Sequence, residues 1–165
     1  MKTVIVCVSV SHGNTRRIAD AMAHQLDAKV VSPEHAEPAE LADADLLGFG
    51  SGVFYGRLHP HLTEFANTLP IRQGSAFVFA TSGLPEIPPA PFSRPLVQLL
   101  QSKGLDVDGT FSCRAFDTWA PFKLIGGLNK HRPGPADLTA AQTFAARMRD
   151  GREQTRIASW PARPQ

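Results

Sequence analysis

Between Val8 and Ala23 the sequence reads VSVSHGNTRRIADAMA, a cluster of small donors around one glycine. It lies between an apolar run and a helical pattern. A turn that leads into a helix N-terminus presents unpaired backbone N–H groups and the positive end of the helix dipole, and both favour an anion. Gly13 lets the backbone approach such an anion, and Ser9, Ser11, Asn14 and Thr15 add hydroxyl or amide donors. His12 stands in the middle of the turn, where its ring N–H can replace a hydroxyl donor and, when protonated, add charge attraction. A phosphate suits this chemistry. The same residues also allow plain capping of the helix by Ser11 or Asn14. Neither the P-loop pattern nor the dinucleotide fingerprint occurs at this turn.

Two further stretches carry compatible chemistry. GSGVFYGRLH, 50–59, places Gly50, Gly52 and Gly56 around Val53, Phe54 and Tyr55, with Ser51 among them. Glycine permits close approach or reorientation of a peptide, and aromatic rings offer a flat apolar surface to a planar ligand. ATSGLP, 80–85, offers Thr81, Ser82 and Gly83 as small donors for the polar edge of a heterocycle. Together the three stretches describe a site for a planar mononucleotide.

The elements that must position these loops alternate along the chain. Val4–Val8 is a near-continuous apolar run, the pattern of a parallel strand buried on both faces. From Thr15 the period changes, and Ile18, Ala19, Met22, Ala23 and Leu26 fall on one face of a helix. Further strands are expected at 29–32, at 45–50 (stopping at small residues), at 76–83 and at 108–116. Helices are expected through Leu58–Leu69, over 92–102 and around Ala140–Met148, the last capped by Thr139 or Asp137. Such alternation predicts an α/β fold, a doubly wound five-stranded parallel sheet with helices on both faces. In open sheets of this kind ligands lie outside the carboxyl ends of the strands, where all three loops fall.

These motifs resemble the flavodoxin family over about residues 1–150. The family's first loop follows a hydroxyl-x-hydroxyl-Gly-x-Thr pattern around the FMN phosphate, and VSHGNT, 10–15, keeps Gly13 and Thr15 with Asn14 between them. Val10 and His12 stand where the family places hydroxyls, and Ser9 and Ser11 are each displaced by one. GSGVFYG resembles the loop that lines one face of the flavin, and ATSGLP the loop near its pyrimidine edge. GSGVFYGRLHPHLTEF is also similar to flavodoxin-like proteins of the menaquinone-linked protoporphyrinogen oxidase group. FSCRAFDTWAPFKLIGG, 111–127, resembles a segment of other flavodoxin-family proteins. The resemblance implies strand order 2-1-3-4-5, an FMN cofactor held by the residues named, and transfer of electrons to a redox partner protein or a small-molecule acceptor. It assigns no side chain a role as acid, base or nucleophile, and leaves Gly52 as the peptide that responds to the protonation state of the flavin.

Two other functions stay open on the sequence. One is an FMN-dependent oxidoreductase acting on a quinone or porphyrinogen-like substrate, with loops 84–91 and 114–136 as its binding wall. The other is a flavodoxin-fold binding module that has lost the cofactor.

Composition bounds the rest. The 165 residues are 42% hydrophobic and 19% charged, which suits one globular domain followed by an arginine- and proline-rich tail, 151–165, expected to be loosely held. Seventeen basic and fifteen acidic residues leave a formal charge of +2, too weak a field to argue for nucleic acid and unlike the strongly acidic electron-carrier flavodoxins. No window approaches the roughly 18 apolar residues of a membrane helix, and the apolar N-terminus runs into a polar turn rather than a cleavage site; a cytoplasmic protein is expected. Cys7 and Cys113 read as buried thiols. His59 and His61 in LHPHL lack a third ligand and mark a loop-to-helix start rather than a metal pair. Trp119 can reach over the flavin or be simply buried, and Lys130, His131 and Arg132 read as a solvated basic loop.

Overall fold

The computed structural model describes residues 1–10, 13–83, 91–114 and 132–158. Ser11, His12, Trp119, Lys130, His131, the loop 84–90 and the last seven residues of the tail lie outside it. β1 (Thr3–Val8), β2 (Lys29–Val31), β3 (Leu46–Phe54), β5 (Gly74–Ser82) and β6 (Leu105–Arg114) pair in parallel in the order β2-β1-β3-β5-β6. A two-residue β4 (Arg57–Leu58) pairs antiparallel with the end of β3. Leaving β4 aside, the order is the expected 2-1-3-4-5.

Side chains alternate across this sheet and so build two cores. Val4, Val6, Val8, Leu47, Phe49, Val78 and Ala80 face α3 (Pro60–Thr68) and α4 (Arg94–Ser102). Ile5, Cys7, Leu46, Phe77 and Phe79 face α1 (Asn14–Leu26) and the long C-terminal helix α5 (Pro135–Ala158), with Ile18, Ala19, Met22, Ala141 and Ala145 closing the layer. A 3-10 turn (Pro33–His35) and the short α2 (Pro38–Ala42) link β2 to β3; neither has enough periodic residues to be read from sequence. Helix α5 continues through Ala158, into the stretch 151–165 that the sequence assigns to the tail.

Strand β3 departs most from expectation. It does not stop at Gly50 but runs to Phe54, because Gly52 still pairs with Thr81 of β5, and Val53 and Phe54 then pair with Leu58 and Arg57. Only Tyr55 and Gly56 form the turn. Their φ angles of 51° and 75° are both positive, as a two-residue hairpin of the type I′ class requires.

On the same strand Gly48 and Gly50 lie beneath the Phe77 and Phe79 rings. A Cβ at Gly48 would fall 2.5 Å from Phe77, and one at Gly50 within 2.1–2.3 Å of Phe79. Two bulky rings on β5 therefore need two glycines beside them on β3.

Strand β6 begins three residues earlier than expected, and a bulge explains its pattern. The register with β5 shifts between Ala76 and Phe77, so Asp108 is the extra residue. Leu105 and Val107 contact the α3/α4 core, whereas Phe111 and Cys113 contact the α1/α5 core. One inserted residue moves the odd-numbered side chains to the other face.

Candidate functional site

The register sets the site. Val8 is level with Ser51, and Gly52 with Thr81, so the carboxyl ends of β1, β3 and β5 release their loops side by side. β1 is also where the order reverses, since the chain passes from β1 to β2 on one side and places β3 on the other.

Gly13 precedes α1 in the left-handed region at φ 66°, with open space where a Cβ would stand. The Ser9 hydroxyl accepts the Arg16 N–H at 3.2 Å and so caps the helix from across the loop. Asn14 and Thr15 are buried in the first turn. That turn has no acidic residue and carries Arg16 and Arg17, while Asp20 pairs with Arg16 one turn on. The backbone amides and the helix dipole form a donor set suited to a dianionic phosphate.

The Thr15 and Thr81 hydroxyls meet at 2.7 Å in a buried contact that joins the first loop to the third. Gly52 lies beside them: a Cβ there would stand 3.8 Å from Thr15 Oγ1 and 3.2 Å from the Phe54 ring. Phe54, 36% exposed, thus covers the Gly52 backbone on the α1 side of the sheet. Ser82 is buried at the end of β5, and the Arg114 guanidinium donates to the Gly83 carbonyl at 3.1 Å, tying the third loop to β6.

Other residues of the second loop are placed differently. Ser51 is fully buried on the opposite face, where its Oγ donates to the Gly52 carbonyl at 2.8 Å and accepts the His59 N–H at 2.9 Å. Val53 packs on the α3/α4 core. Tyr55, 86% exposed, sits with Gly56 at the hairpin tip, and Val10, 63% exposed, stands on the neighbouring loop.

His59 caps α3. Pro60 has no N–H to offer, so the first donor is His61 N–H, which His59 Nδ1 accepts at 3.2 Å. Among the described residues no group of three potential ligands gathers around these histidines. Burial raises the Cys7 and Cys113 thiols to about 12, so both are uncharged at neutral pH. Among the described residues no helix is long and apolar enough to cross a membrane.

With this geometry in view, residues 5–90 match the family model described as a flavodoxin domain, over half the chain. The chain belongs to the flavodoxin domain family. An uncharacterized protein of Methanocaldococcus jannaschii is 36% identical over 145 residues, 88% of this chain and 96% of the relative. Among solved structures, a flavodoxin from the domain Archaea superposes with a TM-score of 0.68 at 18% identity, covering 92% of this chain and 98% of its own. A WrbA-like flavodoxin from Agrobacterium tumefaciens gives 0.65 at 20% identity, covering 93% and 98%. Oxidised Flavodoxin 1 from Bacillus cereus gives 0.64 at 19%, covering 88% and 95%. At these identities the structural likenesses establish the flavodoxin fold.

The sequence reading missed Arg114, which ties the third loop to β6. It was not legible, because its link to Gly83 exists only once β5 and β6 pair.

Proposed function

We propose that this flavodoxin-domain protein binds FMN at the carboxyl ends of β1, β3 and β5 and passes electrons through it. The observation that carries this reading is the Thr15–Thr81 contact, which fixes a phosphate-suited helix start against the loop expected at the polar edge of the flavin. Bound FMN would supply a ring that accepts and returns electrons; the chain supplies binding, orientation and shielding. Gly13, Asn14 and Thr15 would hold the phosphate, with Ser9, Ser11 and His12 of the same loop sequence as further donors. Gly52 and Phe54 would border the ring, and Thr81, Ser82 and Gly83 its polar edge. Ser51 acts behind the site, holding the base of the hairpin. The two unpaired cysteines agree with a reducing, cytoplasmic setting.

The test is titration of the purified protein with FMN, read by flavin absorption and fluorescence. A structured, shifted band with quenched emission supports the reading, whereas an unshifted free-flavin spectrum overturns it. Reoxidation of the reduced complex by a small quinone, without any protein partner, would identify a small-molecule acceptor. A complex that only a partner protein reoxidises would identify a carrier.

A further inference from the structure

His59 touches the hairpin that carries Phe54 at two places. His59 donates its backbone N–H to Ser51 at the hairpin base, accepts His61 N–H at Nδ1, and presents its ring edge-on to Phe54 with centroids 5.3 Å apart at 85°. Phe54 in turn covers Gly52 beside Thr15. Because Nδ1 is an acceptor, the proton of the neutral ring belongs on Nε2. Adding a proton to Nδ1 turns the cap acceptor into a donor facing another donor, and the ring can keep its place against Phe54 only by giving up the cap.

We propose that His59 is the positioning residue for Phe54, that it acts only in its neutral form, and that it thereby makes the shape of the site depend on pH. This rests on the FMN reading of the site for its ligand, but not for its geometry. Among the described residues, the charged and titratable groups around His59 come from three elements. His61, on its own helix, has its ring centroid 6.4 Å away, and Glu34 of the 3-10 turn pairs with His61 Nδ1 at 3.2 Å. His35 on that turn is engaged by Ser32 at 2.9 Å. Arg57 and Tyr55 stand on the hairpin side. The cap and the ring contact with Phe54 coexist while Nδ1 is unprotonated, and a proton on Nδ1 breaks that combination.

Two measurements test this. The first compares the FMN dissociation constant of the wild type with that of His59→Asn, whose side-chain oxygen can serve as the cap acceptor at every pH. From about pH 8 to about pH 5.5 the wild type should weaken by roughly five-fold more than the variant, the scale of one lost hydrogen bond. Identical pH profiles would overturn the proposal. The second needs no flavin. Phe54→Trp places an indole beside His59, read as the difference from the parent protein with its Trp119 and Trp160. A protonated imidazole quenches a neighbouring indole, so the added emission should fall on acidification and stay level when His59→Asn is combined with it. An added emission with the same pH profile in both backgrounds would overturn the proposal. If FMN fails to bind any variant while the indole signal behaves as expected, the flavin reading fails and the positioning role stands.

Discussion

Thr15 and Thr81, 66 residues apart in sequence, share a buried 2.7 Å hydroxyl contact that joins the start of α1 to the end of β5. Two loops that each carry site donors are thereby fixed to one another before any ligand arrives. Such preorganisation lowers the ordering cost of binding.

Replacing one threonine by valine should cost about 1–3 kcal/mol, since the remaining hydroxyl is left buried without its partner. The Thr15→Val, Thr81→Val double variant should cost less than the sum of the two, because both polar groups are gone. Urea denaturation of the four proteins measures the coupling. Strict additivity would show that the contact contributes nothing.

Gly50→Ala should destabilise by roughly 3 kcal/mol or more, because the new methyl would overlap a Phe79 ring that is fully buried and has nowhere to go. Adding Phe79→Leu should recover part of the loss. If Gly50→Ala alone leaves the thermal midpoint unchanged, the packing of β3 against β5 is not as described.

Gly13 offers a contrast, because its Cβ position is empty and only the backbone angle matters. Gly13→Ala should cost about 1–2 kcal/mol, the penalty for a side chain in the left-handed region, and Gly13→Asn clearly less. Equal losses in chemical denaturation for the two variants would refute a purely conformational origin. FMN affinity of the asparagine variant then reports how much close approach the phosphate loop needs.

The two thiols carry a pH dependence. Burial raises Cys7 and Cys113 to about 12, whereas an unfolded cysteine ionises near 8.5. A folded pKa above the unfolded one means that stability is fully present below the unfolded value and is lost as pH rises toward the folded value. The urea midpoint should therefore fall above about pH 8.5, and less steeply in the Cys7→Ala, Cys113→Ala double variant. In the native protein at neutral pH both thiols should react slowly with a disulfide reagent and rapidly once unfolded. Fast native labelling of Cys7 would contradict its burial.

Local pattern was enough for the five parallel strands and the main helices, while their order across the sheet came from the family resemblance. Apolar runs such as Val4–Val8 and helical stripes such as Ile18–Leu26 are read within one element, because burial of a face leaves its period in the residues that form it. The donor-rich turns at 9–15 and 81–83 were legible for the same reason. Tertiary structure decided what those residues touch. Gly50 leaves the space for Phe79, Ser51 braces the hairpin base, Tyr55 stands at the hairpin tip and Phe54 covers Gly52. Each of these depends on strand register or on a hairpin turn. Register is settled by contacts between residues far apart in the chain, so the sequence by itself determined which chemistry is available, and only the pairing of β1, β3, β5 and β6 decided where it points.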